Sequence, residues 1–314
     1  MKKVVVFSSK GGGGHVAVSN ALQQYLNDDY SIETNNIFTQ VLGPLDFLSR
    51  STGGKVSAEN IYNICIARKW YSFLNGYHKM GGWFYYLLQK KAQTLIHQYL
   101  DEQKPDLIVS VVPLINNIIL EVAKQRSIPF LLIPTDLDIS SCLTNINQPV
   151  YEKFKIAIPF DDKAIQEKIS SARIPDQSCV TTGFLLRPDF FEEKDSTPIK
   201  FGYGVPEKKP TVLLLLGAVG SHAIYSFVEQ LARVEYPCHI LICIGKQIQL
   251  KTKIESLEFP NHVSYTIVEF TPRISDLMAI SDLLITKSGS VSVNEAIYMN
   301  LPMILDATSN VLKW

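Results

Sequence analysis

The 314-residue chain is predicted to be an α/β protein of two doubly wound, Rossmann-like units, and three features predict it. Short, continuous apolar runs alternate with longer segments of helical period, the pattern of parallel strands covered on both faces. The alternation starts twice, with KVVVFSSKG near the N-terminus and again with TVLLLLG at 211–217. A loop containing several glycines follows the first strand of each series, where open α/β sheets bind ligands beyond the carboxyl ends of their strands. Two such units facing each other would define one central cleft.

In the first series, β-branched runs predict strands over 4–8, 31–37, 107–112, 130–133, 155–158 and 179–182. In the second they predict strands over 211–216, 239–244, 263–267, 283–286 and 302–305. Apolar residues three or four apart predict helices over 16–26, 83–100, 114–126, 222–234, 273–279 and 291–299. Between the series, RPDFFEEKDSTPIKFGYGVPEKKP is rich in proline, glycine and charge and reads as a linker. The expected division is therefore 1–186, a linker over 187–210, and a second unit over 211–314.

Thirty basic and thirty acidic residues cancel, so there is no global basic field of the kind nucleic-acid binders carry. The five cysteines form no CxxC pair, and Cys142, Cys179, Cys238 and Cys243 lie in or beside apolar runs, as reduced thiols of a cytoplasmic protein do. Met1-Lys2-Lys3 is followed by too short an apolar run for a signal peptide, and no stretch is long enough to span a bilayer. Attachment to a membrane surface stays open.

The stretch VVVFSSKGGGGHVAVSNAL places Gly11, Gly12, Gly13 and Gly14 between the first strand and the first helix. Glycine costs the most entropy to order, and a tight turn needs one or two, so four point to close approach of a ligand. The spacing fits neither the dinucleotide fingerprint nor the Walker loop. His15 follows at the helix N-terminus; the positive end of a helix dipole favours neutral imidazole, and a general base must be neutral. In the second unit GAVGSH holds Gly217, Gly220, Ser221 and His222 in the equivalent place, and TKSGS offers Ser288, Gly289 and Ser290 to a phosphate. Ser290 alone also reads as an ordinary N-cap, and Glu295 reads equally as a ribose ligand or a solvated helix residue. Asp136 and Asp138 form a D-x-D, which fits local capping better than a metal site, leaving Asp136 as a candidate cleft residue.

Taken together, SSKGGGGHVAVSNAL, PTDLD at 134–138, TGFLLRP at 182–188 and ISDLMAISDLLITKSGSVSVNEAIYMNLPMIL at 274–305 resemble glycosyltransferase family 28 of the two-domain GT-B type. The nearer resemblance is to the monogalactosyldiacylglycerol synthase and diacylglycerol glucosyltransferase branch; the peptidoglycan-precursor N-acetylglucosaminyl transferase is more distant. The resemblance implies an inverting transfer of a hexose from a UDP-sugar to a lipid hydroxyl, without a metal or other cofactor. It makes His15 the base, with Asp136 beside it and the four glycines on the acceptor side. It assigns the UDP to Gly217, Gly220, Ser221, His222, Ser288, Gly289 and Ser290, the ribose to Glu295, and the uracil to Phe270 and Arg273. Relatives continue past the strand PMILD, so the C-terminal unit is expected to be truncated.

Residues 43–92 interrupt the α/β rhythm with ten of the chain's 32 aromatic residues and seven basic residues, against only Asp46 and Glu59. Basic side chains mixed with Trp and Tyr suit an anionic membrane interface, and the resemblance places the lipid acceptor here. The expected location is therefore cytoplasmic, peripheral at the inner face of the membrane, with no nucleic-acid partner. A UDP-sugar epimerase of the same architecture and a non-catalytic membrane-binding relative are the competing readings.

Overall fold

The computed structural model describes residues 1–10, 13–53, 55–67, 70, 76, 80, 81, 83–146, 149–217 and 223–306, with backbone only at 62, 63, 66 and 67. These residues form two compact units that divide between Arg187 and Pro188.

In the first unit, strands β1 (Lys2–Ser8), β2 (Tyr30–Asn36), β3 (Leu107–Ser110), β4 (Phe130–Leu132), β5 (Phe154–Ile158) and β6 (Cys179–Thr181) form one parallel sheet. Its order, β2-β1-β3-β4-β5-β6, reverses direction between β1 and β3. Helices α1 (Gly14–Leu26), α2 (Phe47–Ser51), α3 (Ala58–Ala67), α4 (Gln89–Gln103), α5 (Asn116–Gln125) and α6 (Lys163–Ser171) accompany it. Side-chain alternation sends Val5 and Phe7 into the large core with Ile96, Ile118 and Phe130. Val4 and Val6 point the other way, onto Val18 and Leu22 of α1.

The second unit holds β7 (Thr211–Leu215), β8 (Cys238–Gly245), β9 (Val263–Glu269), β10 (Leu283–Lys287) and β11 (Met303–Asp306), again all parallel. The order β11-β10-β7-β8-β9 reverses between β7 and β10. Helices α7 (Ser196–Gly202), α8 (Ala223–Leu231), α9 (Gln249–Glu255), α10 (Ile274–Ala279) and α11 (Ser290–Tyr298) complete it. Two apolar clusters, one around Leu213, Leu241 and Leu277 and one around Leu214, Ile240 and Ile224, cover the two faces of the sheet.

Residues 188–210 are not a free linker. Phe190 and Val205 are buried in the second unit's core, with Ile199 and Tyr203 packed against it. Ser275 Oγ donates to Asp189 at 2.5 Å, and Lys194 lies 3.0 Å from buried Asp276. The Pro, Gly and charge that suggest a linker hide an apolar residue every few positions, and those residues fix the segment in place.

His239 on β8 is structural and fully satisfied. Lys209 donates to Ser264, Ser264 donates to Nδ1 at 2.9 Å, and Nε2 donates at 3.1 Å to Thr266, which donates to the Tyr203 carbonyl. Burial, aided by Lys209, lowers its pKa from 6.5 to about 4. Between those values the unfolded chain binds a proton that the folded chain refuses. Stability is therefore whole above pH 6.5 and is lost as pH falls toward 4, by about 3 kcal/mol for this group. Urea titrations across that window should show a smaller pH slope in His239→Gln than in the parent chain; equal slopes would exclude the assignment.

Candidate functional site

At the β1/β3 switch point of the first unit, β1 ends at Ser8 and α1 starts at Gly14, with Gly13 as its N-cap. Gly11 and Gly12 lie outside the described residues. Gly13 has an ordinary φ of −93°, and a Cβ there would meet nothing within 4 Å. Among the described residues, neither backbone strain nor a close contact calls for glycine at this position, though glycine is favoured at an N-cap. No side chain caps α1 and no acidic residue occupies its first turn.

The His15 ring is held through Nδ1, 2.7 Å from the Val111 carbonyl and 2.8 Å from Thr135 Oγ1. A carbonyl only accepts, so Nδ1 carries the proton and Nε2 keeps the lone pair. Val111 follows β3 and Thr135 follows β4, so three strand ends meet on one imidazole. The Ser8 and Ser19 hydroxyls lie 2.8 Å apart, and Ser19 donates to the His15 carbonyl at 2.8 Å.

Within PTDLD, Thr135 is the residue that reaches His15, and Asp136 is half-buried next to it. Asp138 caps Ser140 and pairs with Lys168 at 2.5 Å. Burial pushes its carboxyl up, but the hydrogen bonds from Lys168 and Ser140 outweigh burial and hold it below the ordinary value. Local capping is what Asp138 does. No group of three His, Cys, Asp or Glu among the described residues is arranged to hold a metal ion.

Glu59 on α3 was not legible as a site residue. Its Oε1 accepts from Ser9 Oγ at 2.8 Å and from the Lys10 amide at 2.9 Å, and its Oε2 accepts from Asn36 at 2.7 Å. One carboxylate thus ties the start of the glycine loop to the end of β2. Its only trace in the sequence is a lone glutamate in a basic stretch. In that same stretch Phe47, Trp70, Met80, Trp83, Tyr86 and Leu87 are exposed, while Tyr85 turns inward onto Phe38. Arg68, Lys69, Tyr71, Phe73, Tyr77 and Lys79 lie outside the described residues, as does the Tyr62 side chain.

At the β7/β10 switch point of the second unit, Gly217 has a φ of +94°, a left-handed conformation that favours glycine. Gly220, Ser221 and His222 lie outside the described residues. Gly289, rather than Ser290, is the N-cap of α11, and no side chain caps that helix. Ser290, beside Ser288, is the buried first residue of the helix, at the end of the helix dipole that suits an anion. Glu295 is 4 % exposed, which removes the solvated-face reading. Phe270, past the end of β9, is exposed with Lys246 Nζ 5.5 Å from its ring centre. Arg273 is committed to Asp276, 2.5 Å away, and so shapes the loop that carries Phe270.

Two doubly wound units, each with a glycine loop at its switch point and an uncapped helix beyond, are the architecture of the GT-B class of glycosyltransferases. Residues 211–306 match the glycosyltransferase family 28 C-terminal domain, and residues 15–144 match monogalactosyldiacylglycerol (MGDG) synthase. The chain is a glycosyltransferase related to family 28. It is 26 % identical over 322 residues to a processive diacylglycerol beta-glucosyltransferase of Bacillus subtilis, covering 97 % of this chain and 77 % of that protein. It is 23 % identical to monogalactosyldiacylglycerol synthase 1 of Arabidopsis thaliana, covering 97 % of this chain and 58 % of that one. The crystal structure of Acinetobacter baumannii MurG shares the fold, with a TM-score of 0.53 at 13 % identity over 99 % of this chain and 81 % of the other.

Proposed function

We propose that this chain moves a hexose from a UDP-sugar to the hydroxyl of diacylglycerol, with inversion, at the cytoplasmic face of a membrane. The observation that carries the reading is His15, oriented by Val111 and Thr135 so that Nε2 keeps its lone pair next to the uncapped start of α1. In this reading Nε2 takes the proton of the acceptor hydroxyl as its oxygen attacks the anomeric carbon. The bond from that carbon to the diphosphate oxygen breaks, and UDP leaves from the opposite face. Gly217, Ser288, Gly289, Ser290 and the uncapped amides of α11 meet the charge, so no divalent metal is needed. Glu295 takes the ribose hydroxyls and Phe270 the uracil.

The exposed apolar residues of 83–87, next to exposed Lys90 and Lys91 at the start of α4, form the membrane-facing surface. No helix among the described residues is long and apolar enough to cross a membrane. Each lysine near an anionic surface contributes about 1 kcal/mol, so Lys90→Gln with Lys91→Gln should weaken vesicle binding roughly 30-fold at low salt. An unchanged vesicle affinity would remove this surface from the interface.

The deciding assay supplies labelled UDP-galactose, UDP-glucose and UDP-N-acetylglucosamine with and without diacylglycerol vesicles. Label in the lipid phase is the expected result. A changed sugar without lipid would favour an epimerase, and vesicle binding without turnover a non-catalytic relative.

A further inference from the structure

Lys287 ends β10 at the β7/β10 switch point, and its side chain runs between the two glycines of the loops that flank that point. A Cβ on Gly217 would lie 3.0 Å from Lys287 Cε and 3.1 Å from Nζ, and one on Gly289 would lie 3.7 Å from Cε. The side chain is half-buried, and burial alone, with no carboxylate contributing, holds its ammonium below the ordinary lysine range. Among the described residues it has neither a hydrogen bond nor an ion pair. The same unit treats its other enclosed cation differently, since Lys194 meets Asp276 at 3.0 Å. A desolvated ammonium without a counter-charge costs stability and persists where an anion is to be bound.

We propose that Lys287 is the cation that meets the diphosphate of the nucleotide donor, in addition to the loop and helix amides. The inference rests on the UDP-sugar reading above. Glycine at 217 leaves room for the Lys287 side chain, and a compact ammonium suits an oxyanion with several acceptor atoms. As the anomeric bond breaks, negative charge grows on the diphosphate, and Lys287 stabilises it where it forms.

The test compares UDP with uridine, which lacks the phosphates, by calorimetry on the parent chain, Lys287→Met and Lys287→Arg. A hydrogen bond between charged groups corresponds to about 10- to 100-fold in affinity, so Lys287→Met should lose that much for UDP and stay within about twofold for uridine. Its Tm should be equal or higher, because an uncompensated buried charge is removed. Lys287→Arg should fall between, its larger guanidinium being crowded by Gly217. Undiminished UDP affinity in Lys287→Met, equal losses for UDP and uridine, or a lowered Tm would overturn the role of Lys287 alone. A parent chain that binds no UDP would overturn the donor reading and this inference with it.

Discussion

His15→Ala should lower hexose transfer by about 10²- to 10⁴-fold, the range for removal of a general base, while UDP affinity stays unchanged. The separation is expected because His15 belongs to the first unit and the proposed UDP ligands to the second. Thr135→Val keeps the shape of the neighbour but removes the oxygen 2.8 Å from Nδ1, and a smaller loss in kcat without a change in UDP binding should follow. Single-turnover rates and UDP calorimetry on the same preparations check both variants. Near-normal turnover in His15→Ala would remove His15 from the base role. A matching loss of UDP affinity would make it a structural residue instead.

Asp276→Ala should cost about 3 kcal/mol, because it leaves the enclosed Lys194 ammonium with only the exposed Glu192 carboxylate, 3.6 Å away. Asp276 is 4 % exposed and sits between Lys194 at 3.0 Å and Arg273 at 2.5 Å. Arg273 is exposed and contributes little, so the penalty arises at Lys194, which is 13 % exposed. A fall in Tm of roughly 10 °C is expected for a unit of this size. Adding Lys194→Met should recover much of it, since replacing both partners with apolar groups is near neutral. The same substitution loosens residues 188–195, so protease should cut there first. A loss under about 1 kcal/mol would show that Asp276 is not what holds that segment.

All eleven predicted strands form, most within one or two residues of their expected bounds. They were legible because buried parallel strands are continuous apolar runs, which need no partner to be recognised. Helices such as α7 and α9 were not legible, because seven residues with a few apolar positions do not define a period. Residues 188–210 misled for a related reason: composition reports the exposed majority of a segment and not the few residues that anchor it.

For the candidate site, the sequence by itself determined the residue types and their order. Glycine loops after the first strand of each series, a histidine at a helix start, and Ser288, Gly289, Ser290 and Glu295 in one motif were all readable, because strand, loop and helix follow one another along the chain. Tertiary structure decided which groups meet. Val111 and Thr135 reach His15 from 96 and 120 residues away, Glu59 reaches Ser9 from 50 residues away, and Lys287 lies against Gly217 across paired strands. Such contacts follow from strand order, β2-β1-β3 in one sheet and β10-β7-β8 in the other. No local pattern encodes that order, because it is set by how helices cover the sheets and not by any one stretch of residues.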